Sequence, residues 1–321
     1  MAVRIGIVGL GEMGTEHMNR LQQIEGAKMV AFCDVNRKLA AQVAQHRGGK
    51  AYTDFDTMLR KERLDALWVC LPPFVHRGQE IQAAQRGIHL YVEKPVALDL
   101  ATAQKTAAAI RKAGVITSVG YQIRHCKHVA EARRVLRGRR VDFVTGRYLG
   151  NLKGTTGWWP VMSKSGGQVV EQATHVVDLM RYLAGEVREV SASYALRVFT
   201  STTGWDIPDY SVVALDFASG AVGSLHASAA YPTGWDTGVR VAAEDLELEC
   251  TFSSLRVTRG NETREIRSQE DAVLLADQAF VRSVQKGRPI GIRSSYADGV
   301  KTLAVTLAAN ESAARGERVS C

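Results

Sequence analysis

Short apolar runs alternate with helix-compatible segments along the first third of the chain. The runs predict buried strands because each is four to eight residues long and ends at turn residues or at a change of pattern. The predicted strands are 3–8, 29–33, 66–71, 88–92 and 115–119, and the predicted helices are 37–44, 54–61, 76–86 and 100–112. Strands that alternate with helices need right-handed crossovers, so the sequence predicts a doubly wound parallel sheet, an α/β Rossmann domain.

The pattern changes after about Gln122. Two runs with period two, 212–217 and 221–226, are divided by Ser219-Gly220, which is typical of a hairpin. A strand over 141–148 and helices over 167–183, 269–286 and 296–314 complete this part. We therefore expect residues 1–122 to form a dinucleotide-binding domain. Residues 123–321 should form an α+β domain for substrate binding and oligomerisation, with a large, mostly antiparallel open sheet.

A glycine-rich turn joins the first predicted strand to a helix. Its residues are Gly9, Leu10, Gly11, Glu12, Met13 and Gly14. Gly9 suits a tight turn, Gly11 lets a pyrophosphate approach the backbone, and Gly14 allows the helix to pack closely on the strand. The free N–H groups at the start of the helix would then hold the anion. Many such turns bind nothing, so the turn alone is a weak signal.

An acidic residue strengthens the dinucleotide interpretation. Asp34 ends the second apolar run, about twenty residues beyond the last glycine, where a carboxylate would bind the ribose hydroxyls. A carboxylate there repels a 2′-phosphate, so NAD is favoured as the cofactor. Arg37 stands three residues later and could still accept NADP. The alternative is a strand–helix–strand unit that binds no nucleotide.

Composition and charge set wider limits. The chain is 45% hydrophobic and 23% charged, as in ordinary globular proteins. Its 321 residues are enough for two domains. Five scattered cysteines without a CxxC pair predict no metal site and no disulfide framework. We find neither a membrane span nor a leader, so a cytoplasmic location is expected. The net charge is +8, and the basic run 133–140 is interpreted as a solvated helix end. No nucleic-acid partner is expected.

Two groups of residues could carry chemistry. Lys94 follows the predicted strand 88–92, and in a doubly wound sheet ligands bind at the carboxyl ends of the strands. Glu171, His175 and Asp178 are spaced i, i+4 and i+7, which places them on one stripe of a helix. A histidine between two carboxylates suits a general base, although a solvated helix face is an equally simple interpretation.

These motifs resemble those of the glucose-fructose oxidoreductase, inositol dehydrogenase and MocA family. The resemblance rests on the loop Gly9–Gly14, the Glu93-Lys94-Pro95 tripeptide and the Ser165-Gly166-Gly167 stretch ahead of the predicted catalytic helix. It implies an NAD(P)-dependent dehydrogenase that acts on CH–OH groups of a sugar or polyol, and a homodimer or homotetramer formed through the second sheet. It also implies that Lys94 contacts cofactor and substrate and that His175 accepts the proton.

The resulting assignment has three parts. The predicted catalytic residues are Lys94, Glu171, His175 and Asp178. The predicted cofactor contacts are the loop Gly9–Gly14 with Asp34, Asn36, Arg37, Leu71, Pro72, His76, Glu93, Lys94 and Gln122. The predicted substrate contacts are Lys94, Arg124, Trp158, Glu171 and His175. Trp158 is included because an indole stacks well on a sugar and this one lies just before the catalytic helix.

Some features depart from the family pattern. The acid four residues before the histidine is usually Asp, whereas here it is Glu171, and Pro73 stands where Asn is frequent. Gln172-Ala173-Thr174 is also unusual ahead of the histidine, which bears on substrate choice. Two alternatives stay open: an NAD-dependent glycosidase that oxidises its substrate transiently, and a sugar or nucleotide sensor that catalyses nothing.

Overall fold

The protein is described by a computed structural model that covers residues 2–321. Its contacts divide it into two compact units, Met1–Gln122 with Asp271–Val300 and Ile123–Glu270 with Lys301–Cys321. The sequence predicted one continuous second domain over 123–321. The structure differs because the helix α10 (Ala272–Lys286) packs on the first helix, α1 (Glu12–Leu21), and so returns the chain to the first unit.

The first unit is built on a parallel sheet of six strands in the order β3-β2-β1-β4-β5-β6. Its strands are β1 (Val3–Val8), β2 (Ala27–Cys33), β3 (Lys50–Tyr52), β4 (Ala66–Val69), β5 (His89–Val92) and β6 (Thr117–Val119). Its remaining helices before residue 123 are α2 (Arg37–Arg47), α3 (Phe55–Lys61), α4 (Gln79–Gln85) and α5 (Leu100–Ala113). This strand order is that of the dinucleotide-binding Rossmann fold, so the predicted doubly wound sheet is confirmed.

Large buried side chains fix how the first unit packs. Trp68 of β4 and Tyr91 of β5 stack with ring centroids 5.6 Å apart, and Phe280 of α10 meets Trp68 edge-on at 5.1 Å. All three rings are fully buried. Burying such rings removes large apolar areas from water, which explains why α10 belongs to this unit.

The second unit is built on a sheet of nine strands in the order β14-β13-β12-β11-β7-β10-β9-β8-β15. The strands are β7 (Phe143–Leu149), β8 (Val187–Ala195), β9 (Tyr210–Phe217), β10 (Val222–Ser228), β11 (Asp236–Ala243), β12 (Leu246–Thr251), β13 (Ser254–Arg259), β14 (Glu262–Arg267) and β15 (Val319–Ser320). The helices are α6 (Lys127–Leu136), α7 (Met162–Ser165), α8 (Gln168–Glu171), α9 (Thr174–Ala184) and, beginning in the first unit, α11 (Tyr296–Arg315). Only β7 and β10 pair in parallel among these strands of the described chain, so the predicted mostly antiparallel sheet is confirmed.

Two predicted helices differ in the structure. The segment predicted as a helix over 76–86 forms helix only over Gln79–Gln85, and a 3₁₀ turn, Pro73–Val75, precedes it. The segment predicted as one helix over 167–183 is divided into α8 and α9. In the segment 76–86, Gly78 has a φ of 105°, a value outside the helical region, so α4 begins only after it. Across the described residues, no helix is both long and apolar enough to cross a bilayer.

Candidate functional site

The glycine loop after β1 is shaped by two close backbone approaches. Gly9 has a φ of 85°, and a Cβ at this position would lie 2.3 Å from the carbonyl oxygen of Cys70. A Cβ on Gly14 would lie 2.1 Å from the carbonyl oxygen of Gly9. Both glycines are therefore required by the fold itself, as the sequence predicted for the turn and for the packing of the helix.

Gly11 is different, because apart from its chain neighbours no atom of residues 2–321 lies within 4 Å of the position that its Cβ would take. It is the N-cap of α1 and no side chain caps this helix end. The unpaired N–H groups and the positive end of the helix dipole therefore face open space beside Gly11. This is the arrangement that a pyrophosphate needs, so the loop fits a dinucleotide.

Asp34 lies beside this loop, directly after β2. Its Oδ2 accepts a hydrogen bond from the N–H of Leu10 over 2.9 Å, and its Oδ1 accepts one from the N–H of Asn36 over 2.8 Å. Each carboxylate oxygen keeps a lone pair, so Asp34 can still bind ribose hydroxyls. Asn36 caps α2 by accepting from the N–H of Leu39, and Arg37 is exposed at the start of that helix.

The loop after β4 is held by an ion pair. His76 is buried, and its Nδ1 lies 2.5 Å from Oε1 of Glu80 while its Nε2 lies 3.2 Å from the carbonyl oxygen of Leu71. Burial would lower the pKa of His76, but Glu80 outweighs it and the pKa is raised. His76 therefore binds within the loop that carries Leu71 and Pro72, and its predicted contact with the cofactor stays a prediction.

A second buried histidine was not predicted from the sequence. His17 of α1 lies between two acids: its Nδ1 is 2.9 Å from each carboxylate oxygen of Asp277, and its Nε2 is 3.0 Å from Oε1 of Glu93. The three residues are almost fully buried, and Trp68 donates its indole N–H to Asp277. Burial alone would lower the pKa of His17, but the two carboxylates raise it to about 10.

Glu93 connects this cluster to Lys94. Its Oε2 accepts the backbone N–H of Lys94 over 3.2 Å, and a Cβ on Gly120 would lie 2.3 Å from its Oε1. Glu93 thus contacts His17 and the backbone of Lys94, and its predicted contact with the cofactor stays a prediction. Lys94 itself is half-buried, and so is Gln122, whose buried Oε1 has no hydrogen-bond partner among the described residues.

In the second unit, Glu171 ends α8 and is 8% exposed. Its Oε2 accepts the indole N–H of Trp159 over 2.5 Å. His175 lies in the first turn of α9, half-buried, with its ring edge-on to Phe252 at 6.1 Å between centroids. The sequence predicted Glu171 and His175 on one stripe of a single helix, whereas the structure places them on α8 and α9. The indole that donates to the Glu171 carboxylate was not predicted.

Arg124 and Asp178 bind each other. The Nε and Nη2 atoms of Arg124 lie 2.6 Å from Oδ2 and Oδ1 of Asp178, and both side chains are buried. Thr302 also donates to Asp178 over 3.0 Å, and the guanidinium lies 4.5 Å from the ring centre of Tyr182. The sequence predicted Arg124 to contact substrate and Asp178 to assist catalysis. The structure gives these two residues a bidentate ion pair with each other, and their roles toward substrate and catalysis stay predictions.

The tryptophans fall into two environments. Trp159 and Trp205 are buried in an apolar cluster with Phe199 and Ile207, and Trp158 packs against its edge, half-buried. Trp235 is 56% exposed and stands edge-on to Tyr148. Core packing therefore explains Trp205. Trp159 has a polar partner, Glu171, which lies four residues before His175 in the sequence. Among the described residues, no group of three or more acidic, histidine or cysteine side chains could hold a metal ion.

Comparison with known proteins places both units. Residues 3–121 match the family model described as "Oxidoreductase family, NAD-binding Rossmann fold", and residues 129–249 match the GFO/IDH/MocA C-terminal domain. The myo-inositol 2-dehydrogenase of Thermotoga maritima is 26% identical, with 97% of this chain and 96% of that protein covered. The scyllo-inositol 2-dehydrogenase (NAD(+)) of Bacillus subtilis is 29% identical, with coverages of 74% and 71%.

A solved structure supports the fold. Levoglucosan dehydrogenase in complex with NADH and levoglucosan superposes with a TM-score of 0.89, at 21% identity, over 100% of this chain and 99% of that one. The predicted fold class, the oxidoreductase class and NAD as cofactor are thereby confirmed. The two family models together match well over half of the sequence, and the chain belongs to the Gfo/Idh/MocA family of oxidoreductases.

Proposed function

We propose that the chain is an NAD(P)-dependent dehydrogenase of a sugar or polyol, with its dinucleotide in the first unit and its substrate-binding groups largely in the second. The observation that carries this proposal lies at the carboxyl edge of the first sheet. There the Gly9 N–H of the glycine loop donates to the carbonyl oxygen of Cys33 at the end of β2. Lys94 follows the end of β5, two strands away from β1 in the same sheet. Nucleotides bind at this edge in doubly wound sheets.

The cofactor contacts follow from this placement. The backbone from Gly9 to Gly14 holds the pyrophosphate, and Asp34 binds the ribose hydroxyls and disfavours a 2′-phosphate. NAD is therefore preferred to NADP. We assign Leu71, Pro72 and Gln122 to the nicotinamide end, where the Gln122 carbonyl has no partner among the described residues. The bound cofactor supplies the hydride acceptor.

The chain's own residues move the proton and bind the hydroxyl. His175 accepts the hydroxyl proton at a ring nitrogen, and Glu171 binds the substrate beside it. The Lys94 ammonium donates a hydrogen bond to the same oxygen and stabilises the negative charge that develops there. We propose that Arg124 and Asp178 keep α9 in place through their ion pair, and that Trp158 lines the substrate side of the aromatic cluster.

The relatives favour a cyclic polyol as the substrate, since two of them are named inositol dehydrogenases. The test is spectroscopic. Purified protein with NAD or NADP is mixed with inositol isomers, monosaccharides and anhydrosugars, and the absorbance of reduced nicotinamide is followed. We expect reduction with NAD and at least one member of the panel. Sugar release without net reduction would favour the transient-oxidation alternative, and cofactor binding without either reaction would favour a sensor.

We also propose that the chain forms a homodimer or homotetramer through the nine-stranded sheet. Phe143 and Val222, which are register partners on β7 and β10, are 47% and 51% exposed, and Val212 on β9 is 51% exposed. Exposed apolar side chains on neighbouring strands favour association. Light scattering coupled to gel filtration tests the assembly: Val212→Arg should lower the mass to that of a monomer, whereas an unchanged mass would place the interface elsewhere.

A further inference from the structure

The buried amide of Gln168 has no hydrogen-bond partner in the part of the chain that the structure describes. Gln168 is 2% exposed, and within residues 2–321 neither its Nε2 nor its Oε1 meets a donor or acceptor. The Oε1 of Gln172, one turn later, is also buried and unpartnered in the described chain. Buried polar groups are nearly always paired because an unpaired one costs free energy in the folded state. Two neighbouring exceptions therefore need an explanation.

The two amides lie on the segment that carries Glu171 and His175. The carbonyl oxygen of Gln168 accepts from the N–H of Gln172 and also from the N–H of Ala173, both over 2.9 Å. The second bond spans five residues, so the helix makes one wide turn between Glu171 and His175. Wide turns inside helical segments are frequent at functional sites. The polar groups around it thus belong to the region proposed for the substrate.

The acids of this segment differ from the amides because they already have partners. Glu171 accepts from Trp159, and Asp178 accepts from Arg124. Among the described residues, the Nε2 and Oε1 atoms of Gln168 and the Oε1 atom of Gln172 have no such partner and can bind a ligand. A primary amide both donates and accepts, which suits a hydroxyl, since a hydroxyl also does both.

We propose that Gln168 and Gln172 form a subsite that binds two hydroxyl groups of a neutral polyol next to the carbon that is oxidised. This inference rests on the proposed function and narrows its substrate to a molecule with neighbouring hydroxyls. A neutral substrate is favoured over a sugar acid because the Glu171 carboxylate lies on the same turn and repels an anion.

The test compares Gln168→Met with the wild-type protein, because methionine has a similar length and lacks the amide. Two quantities are measured: the denaturant midpoint without ligand, and the binding of myo-inositol and its monodeoxy analogues to the NAD-saturated protein by calorimetry. Gln104→Met, on an exposed position of α5, is the matched control. Where the wild-type protein oxidises the polyol, kcat and KM are measured as well.

We expect Gln168→Met to unfold at an equal or higher denaturant concentration, because it removes an unpaired buried amide. Its affinity for the parent polyol should fall by about 10-fold or more, with KM rising more than kcat falls. The variant should bind the deoxy analogue that lacks the contacted hydroxyl as tightly as it binds the parent polyol. That equality is the signature of a direct contact.

The inference is overturned if Gln168→Met is less stable and binds parent and deoxy compounds with unchanged affinity, since the amide then serves the interior or an ordered water. Failure of the proposed function gives a different result. A wild-type protein that binds the polyol through Gln168 but reduces no NAD would refute the dehydrogenase proposal and leave the subsite standing. A wild-type protein that oxidises the polyol, with Gln168→Met unchanged, would do the reverse.

Discussion

The Nε2 atom of His17 lies 3.0 Å from Oε1 of Glu93, and this contact joins the helix that follows the glycine loop to the residue that precedes Lys94. The other ring nitrogen faces the Asp277 carboxylate. Both partners are acceptors, so both ring nitrogens carry hydrogens and the imidazole is charged. The position of Glu93 beside the proposed catalytic lysine therefore depends on a buried cation.

Removing this cation should destabilise the protein strongly. His17→Gln leaves Asp277 and Glu93 buried without a compensating charge, and breaking such a pair costs about 3–5 kcal/mol of unfolding free energy. Denaturant unfolding measures the loss. The control His46→Gln changes an exposed histidine of α2 and should cost under about 0.5 kcal/mol. Equal stabilities of the two variants would show that the His17 contacts contribute nothing.

The same residue predicts a pH dependence. The pKa of His17 is raised from 6.5 to about 10, so its contribution to stability is complete below pH 6.5 and is lost as the pH rises toward about 10. The difference in unfolding free energy between wild type and His17→Gln should thus shrink as the pH is raised from 6.5 to 8.5. A difference that stays constant over this range would contradict the charged state.

Asp34 should set the preference for NAD. Asp34→Ala removes the acceptor for the ribose hydroxyls and the charge that repels a 2′-phosphate. The affinity for NAD should therefore fall by about 10-fold or more, and the affinity for NADP should fall less. Calorimetric titration with both cofactors measures this. Asp56→Ala, an exposed acid in the first turn of α3, serves as the control. An unchanged ratio of the two affinities would remove Asp34 from the cofactor site.

The indole N–H of Trp159 should matter for turnover rather than for folding alone. Trp159→Phe keeps a ring in the cluster but removes the N–H group that donates to Glu171. Because a hydrogen bond to a charged group contributes about 1.5–3 kcal/mol, kcat/KM should fall by about 10- to 100-fold. Trp205→Phe removes an indole from the same cluster, where the N–H binds the carbonyl oxygen of Ile207. This control should lose stability and keep its kcat/KM. A similar loss of kcat/KM in both variants would point to packing alone.

Arg124 offers a test of structural against substrate-binding roles. Arg124→Met should destabilise the protein by about 3–5 kcal/mol because Asp178 stays buried without its cation, and adding Asp178→Leu should restore part of the loss. Unfolding experiments on the single and double variants give the coupling. If Arg124→Met keeps full stability and only raises KM, the guanidinium binds substrate as the sequence predicted.

Local patterns explain what the sequence predicted correctly. The glycine loop and Asp34 are visible because turn geometry and an anion site need particular residues at fixed offsets. The doubly wound parallel sheet of the first unit followed from strands alternating with helices. The hairpin at Ser219-Gly220 joins β9 to β10 as predicted, because the turn residues lie between two runs with period two.

The remaining features depend on contacts between residues far apart in the chain. Asp277 meets His17 only because α10 returns to the first unit after β14 of the second sheet. Periodicity on one helix also marked Asp178 as part of a catalytic stripe, but it could not show that Arg124 would bind it. The wide turn after Gln168 was missed because the periodicity of this segment fits a continuous helix.

The most direct test of the proposed chemistry separates cofactor binding from turnover. Lys94→Met and His175→Asn are compared with Lys105→Met and His46→Asn, exposed controls on α5 and α2, in NAD titration and in reduction of NAD by a polyol that the wild-type protein oxidises. We predict that both site variants retain most of their NAD affinity and lose about 10²- to 10⁴-fold in kcat, while the controls keep both. Turnover of Lys94→Met or His175→Asn at the wild-type rate would contradict the account.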